Sequence, residues 1–156
     1  MNTTTAPNTF FAHILNLLAR LTMVALFLPA GLAKLGSFDA TAGYIASVGL
    51  PLPMVGVIIA IVVEVGCGAS LALGLYTKLS AAVLAVFTLV ASVFFHAYWA
   101  VPAEQAFMQQ LLFYKNIAVV GGLLLLVAYG AGAGAGAGGI SLDAIRLRKS
   151  GQAARS

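Results

Sequence analysis

Four long apolar runs dominate the hydrophobic pattern of the chain, each closed by proline, glycine or a short polar cluster. They extend over about 10–35, 53–75, 79–99 and 111–129. A helix crosses a bilayer with roughly 20 mainly apolar residues. The pattern therefore predicts an all-α, polytopic membrane protein in which residues 10–130 form an antiparallel bundle of four transmembrane helices. Pro51 and Pro53 suit the start of the second helix, where a missing amide costs nothing, and Pro102 closes the third. Only Tyr76-Thr77-Lys78 separates the second and third runs, a turn so tight that these helices must be antiparallel neighbours. The connection over 36–52 carries Gly43, Tyr44, Gly49 and Leu50, enough apolar character to lie at the interface or against the bundle. Residues 1–9 read as a disordered lead, 131–139 as a flexible Gly/Ala linker with too little side chain to order itself, and 140–156 as a basic tail. A cleavable signal peptide competes for the first run, since Gly31-Leu32-Ala33 resembles a cleavage site. It lacks a basic leading region, and Arg20 would interrupt its apolar core.

Composition sharpens this picture. Hydrophobic residues make up 62% of the chain and charged ones 8%, against about 25% charged in a soluble domain. No charged side chain occurs from Leu79 to Ala103. The net charge of +4 is spread over helix ends and the tail, which argues against nucleic-acid binding. A single cysteine, Cys67, excludes an internal disulfide, a CxxC pair and a cysteine-based zinc or iron-sulfur site within one chain.

Lys and Arg near the span ends set the expected orientation. With both termini inside, the cytoplasmic side holds Lys78, Arg146, Arg148, Lys149 and Arg155, with Arg20 close by, while Lys34 and Lys115 lie toward the other. The N-in/C-in arrangement also places Asp39 and Glu104 outside and puts Tyr44, Tyr98 and Trp99 at the outer interface, where amphipathic aromatics prefer to lie.

An ionisable group at the centre of a membrane helix costs about 2.5–3.5 kcal/mol on the insertion scale. Glu64 sits near the middle of the second run, on a stripe of small residues, Gly56, Ala60, Gly68 and Ala72, that lets a neighbouring helix approach. Its expected partner is Arg20, in an intramembrane ion pair. On the third run Ala81, Ala85, Thr88, Ser92 and His96 form a small and polar stripe, and the fourth carries Lys115-Asn116 about one turn from its outer end. If these faces converge, the outer half of the bundle is lined by Lys34, His96, Lys115 and Asn116, a candidate site for the polar head of a quinone. Taken singly, each has a plainer role: Glu64–Arg20 as a structural pair, His96 as an interfacial hydrogen-bonder, Lys34 and Lys115 snorkelling to headgroups.

The residues limit the chemistry further. His13 and His96 fall at opposite ends of the bundle, so one chain cannot hold a haem between them. A di-iron bundle needs several inward Glu, and Glu64 is the sole intramembrane acid. No metal site, phosphate loop or Ser-His-Asp set is present, and no cofactor of its own is expected. A small multidrug transporter also uses one membrane-embedded glutamate, but Arg20, Lys34 and Lys115 outnumber the acid here.

Several motifs carry a family resemblance: Arg20 with Phe27-x-x-Ala30-Gly31-x-x-Lys34; Glu64-x-Gly66-x-Gly68 leading to Leu73-Gly74-Leu75-x-Thr77-Lys78; Phe95-His96; Phe113-Tyr114-Lys115-Asn116 followed by Gly121-Gly122; and Ser141-Leu142-Asp143. In order, they resemble the DoxX family of bacterial and archaeal membrane proteins. The resemblance implies a four-helix, multi-pass protein of the cytoplasmic (inner) membrane. It also implies a link to redox systems, since some relatives are small subunits of quinone-linked oxidoreductases acting on sulfur compounds and others are associated with oxidative or thiol stress. The leading expectation is a small membrane subunit or anchor of a redox system, with the lipid bilayer, a redox-enzyme partner and further copies of itself as partners. A structural or assembly factor and a small-solute transporter are the competing readings.

Overall fold

The computed structural model describes residues 9–131 and 140–153. The expectations for the N-terminal lead, for nearly all of the Gly/Ala linker and for Arg155 lie outside these residues. The described chain is helical throughout: α1 (Thr9–Gly36), α2 (Phe38–Ser47), α3 (Pro53–Ile61), a π-helical segment (Val62–Cys67), α4 (Gly68–Leu73), α5 (Thr77–Phe95), a 3-10 turn (Tyr98–Ala100), α6 (Ala103–Tyr129) and α7 (Leu142–Ala153). Helix α3, the π segment and α4 run on as one span, Pro53–Leu73, which with α1, α5 and α6 gives four helices long and apolar enough to cross a membrane.

The core explains why these helices pair. Ala81 and Ala85 on α5 are small enough for α6 to close on them, and Leu84, Leu123 and Leu126 fill the seam together with Phe27 of α1 and Leu71 of α4. Thr88 and Ser92 lie buried in the same stripe, each hydroxyl donating to the carbonyl one turn back, Leu84 and Thr88, at 2.7 Å. That local bond satisfies the hydroxyl without a partner helix. The outward side chains, Val86, Leu89, Val90, Leu124 and Leu125 among them, are apolar and exposed, as a lipid-facing surface requires.

The α4–α5 turn follows from Gly74. At φ 64 it takes the left-handed conformation that only glycine adopts freely. Its amide donates to Leu71 O and that of Leu75 to Ser70 O, the paired bonds that close a helix C-terminus around such a glycine.

Two expectations about extent change. The connection between the first two spans contains a helix of its own, α2, whose Ala42 and Ile45 are buried against Val57 of α3. The fourth helix begins at Ala103, not near Leu111. Glu104, Gln105, Gln109 and Gln110 are polar but good helix formers, so the apolar run marks only part of the helix. Lys115 therefore lies twelve residues into α6, about 18 Å from its start and far from one turn.

Candidate functional site

Helix α1 meets the π segment at Gly31. A Cβ there would lie 2.9 Å from Glu64 Cβ and 2.8 Å from Val65 Cγ2, so only glycine permits this approach. One turn further on, Lys34 Nζ donates to Glu64 Oε2 at 2.7 Å and Oε1 at 3.0 Å, and to Ala30 O at 3.4 Å. The side chains are 25% and 8% exposed. A π bulge carries one residue more per turn than an α-helix, and such bulges gather at functional sites; this one carries Glu64.

The expected Glu64–Arg20 pair is therefore corrected: the partner of Glu64 is Lys34. Helix α1 runs antiparallel to the Pro53–Leu73 span with Gly31 opposite Glu64. Arg20 is eleven residues from Gly31, roughly 16 Å along the helix, beyond side-chain reach. Arg20 is 1% exposed and is satisfied instead by carbonyls. Its guanidinium donates to Leu71 O at 3.1 Å, Ala72 O at 3.3 Å, Ile140 O at 2.6 Å and Asn16 Oδ1 at 3.2 Å.

Beside the Lys34–Glu64 pair lies a cavity of about 380 Å³. Its polar lining is Lys34, Glu64, Thr41, Tyr44 and His96, and its walls are apolar, with Ile45, Ile59, Phe87 and Phe94 prominent. Helix α2 forms one wall. Tyr44 stacks on Phe95 at 5.3 Å between centroids and donates its hydroxyl to Phe95 O at 3.5 Å. His96, just past the end of α5, has Nδ1 2.9 Å from Gln109 Oε1 of α6. Apolar walls with a few placed polar groups are the usual form of a small-molecule site.

The structure thus brings Lys34 and His96 into one cavity and leaves Lys115 and Asn116 out of it. Gln109 is level with His96, so Lys115 falls six residues, about 9 Å, further along α6. Lys115 is exposed and Asn116 half-buried. Sequence reasoning missed Gln109 and the part played by Tyr44. A helix start at Pro102 would have put Gln109 on the inward face, the one signal that pointed there. Among the described residues, no three His, Cys, Asp or Glu side chains gather as a metal site would require.

The opposite end of the bundle is tied by a second polar cluster. Asp143 accepts the amides of Tyr76 and Thr77, each at 2.9 Å, and its own amide donates to Gly74 O at 2.9 Å. The carboxylate thereby caps the N-terminus of α5, where bare amides and the helix dipole favour an anion. Arg146 lies 4.3 Å over the Tyr76 ring, and Asn16 donates to Gly130 O at 2.9 Å. A Cβ at Gly74 would collide with the Arg20 guanidinium and Ser141, so the left-handed glycine also makes room for the cluster.

Comparison with known proteins agrees with this architecture. The DoxX family profile matches residues 15–97. Inner membrane protein YphA of Escherichia coli (strain K12) is 37% identical over 117 residues, covering 75% of this chain and 84% of the relative. Inner membrane protein YqjF of the same organism is 34% identical over 117 residues, covering 73% and 82%. No solved structure matches the chain.

Proposed function

Because the chain belongs to the DoxX family of multi-pass inner-membrane proteins, we propose that it is a small membrane subunit or anchor of a quinone-linked redox system. In this reading the cavity beside Lys34 and Glu64 receives the ring head of the apolar electron carrier, and a partner enzyme supplies the redox centre. The observation that carries it is the cavity itself: apolar walls with aromatic side chains, and Lys34, Glu64 and His96 among its lining. Its volume lies within the roughly 300–1,000 Å³ of ligand pockets. The chain sits with both termini in the cytoplasm, so that the cavity opens in the outer half of the bilayer.

The transporter reading loses support at Glu64. A carboxylate that holds a transported cation must be free to take it, and both oxygens here are met by Lys34. The scaffold reading draws support from the Arg20–Asp143 end, where the guanidinium and the carboxylate are spent on holding the chain together.

Purified protein in micelles tests the proposal by thermal unfolding with and without a short-chain quinone, fully oxidised or fully reduced. A bound form stabilises by roughly 2.7 kcal/mol at a hundred times its dissociation constant. Gly56→Leu should abolish the effect, since any Cβ at Gly56 already meets Ile45 Cδ1 at 3.1 Å and both residues line the cavity. Absence of stabilisation in either redox form returns the chain to the scaffold reading.

A further inference from the structure

Helix α7 (Leu142–Ala153) is fastened to the bundle along one side and left open along the other. Asp143 caps α5 and Ala144 is buried, which turns the opposite side of the helix outward. Leu142, Ile145, Arg146 and Lys149 occupy that side at the i, i+3, i+4, i+7 spacing of one helical face, and all four are exposed. The face adjoins the lipid-facing perimeter. The Arg146 guanidinium lies over the ring of Tyr76, in the turn between the second and third spans, and Leu73 and Leu79 on either side of that turn are exposed.

The charge offered here has one sign. Lys78, exposed two residues after Tyr76, adds a third cation to Arg146 and Lys149, and among the described residues none of the three is in an ion pair. Asp143, the one acid of α7, has both oxygens on the Tyr76 and Thr77 amides. The remaining acids of the chain, Asp39, Glu64 and Glu104, sit on α2, the π segment and the first turn of α6. We propose that this face of α7 lies in the bilayer interface and holds the headgroups of anionic phospholipids, with Arg146, Lys149 and Lys78 as the cations and Leu142 and Ile145 as apolar anchors. Leucine and isoleucine interleaved with cations on one narrow face fit that plane, because the apolar side chains enter the acyl boundary while the long basic ones reach the headgroups. The inference is independent of the cavity and of what the cavity binds.

The test uses the full chain in lipid vesicles, with Trp99→Phe removing the single native tryptophan and Ile145→Trp placing a fluorescent reporter on the face. Leu142→Trp serves as a second reporter. The vesicles mix phosphatidylcholine with phosphatidylglycerol, and one or the other carries brominated acyl chains. The reporter should be quenched by brominated lipid and shielded from aqueous acrylamide. A basic residue near an anionic surface is worth about fivefold in association, so competition between the two lipids should favour phosphatidylglycerol roughly fivefold to twenty-fivefold, for one or two cations engaged. That preference should fall toward one in Arg146→Gln combined with Lys149→Gln and survive in Arg146→Lys. It should also shrink in about 1 M salt, where the Debye length is only about 3 Å, a reading that needs no substitution. Melting curves matching the parent's separate a loss of preference from a loss of fold. Reporters reached by acrylamide and untouched by brominated lipid would overturn the proposal and leave the face to a soluble partner. Equal quenching by both brominated lipids, or a preference unchanged by the paired glutamine substitutions and by salt, would overturn the headgroup assignment.

Discussion

Replacing Lys34 by methionine tests the ion pair that lines the cavity. Methionine keeps the length and apolar stem of lysine but strands the Glu64 carboxylate, which is 8% exposed. Removing one partner of a buried pair costs about 3–5 kcal/mol. Lys34 is itself 25% exposed, and the adjoining cavity admits some solvation, so the expected loss is at the lower end, about 3 kcal/mol. At about 2–4 °C per kcal/mol for a chain of this size, that lowers the melting temperature by roughly 6–12 °C. Adding Glu64→Leu removes the stranded charge and should recover about 2–3 kcal/mol of the summed single losses, because well-packed apolar residues often replace a buried pair at little cost. The measurement is a double-mutant cycle by circular dichroism melting in one detergent at one pH. Arg20→Met with Glu64→Gln is the control, and its losses should add to within about 0.5 kcal/mol, as they do for groups without shared contacts. Additive losses for Lys34 and Glu64, or strong coupling between Arg20 and Glu64, would refute the geometry on which the cavity rests.

Reporter fusions at Ser150 and within α2 at Thr41 should report opposite sides of the membrane with Ser150 cytoplasmic; an external Ser150 reverses the proposed orientation. Asp143→Ala should cost about 1–2 kcal/mol in thermal unfolding, the worth of a lost helix cap, and Gly74→Ala should cost more, since it adds a collision with Arg20 and Ser141 to an unfavourable φ. Lys115→Met combined with Asn116→Leu should leave ligand stabilisation unchanged, because neither residue lines the cavity; loss of stabilisation would place the ligand elsewhere.

The membrane spans are legible in the sequence because apolar transfer energy acts over some twenty residues and survives any local detail. Burial of Glu64 and the small-residue stripe of α5 are legible for the same reason: each is a periodic exception within an apolar run. Register is not. The partner of Glu64 depends on where α1 crosses the second span, and that is fixed by one glycine, Gly31, meeting a π segment that no periodicity announces. The depth of Lys115 is not legible either, because an apolar run reports contact with lipid, whereas α6 begins eight residues before that run, at Ala103. The pairing of Asp143 with the Thr77 turn spans 66 residues, and nothing local to either segment encodes it.

The tie between Arg20 and Ile140 has a consequence for how the protein is made. The two residues are 120 apart in sequence, and ribosomes add on the order of 5–20 residues per second. The guanidinium therefore enters the membrane several seconds, roughly 6–24 by that rate, before its last partner has been synthesised. During that interval its first partner is Asn16, one turn back on the same helix, and the Leu71 and Ala72 carbonyls join once the second span has been made. The first span must then be held near the membrane surface, or by a chaperoning contact, until the second span brings those carbonyls. A chain released before Ile140 would leave one guanidinium nitrogen of its first helix without its carbonyl, a mark by which quality control could tell an unfinished copy from a finished one.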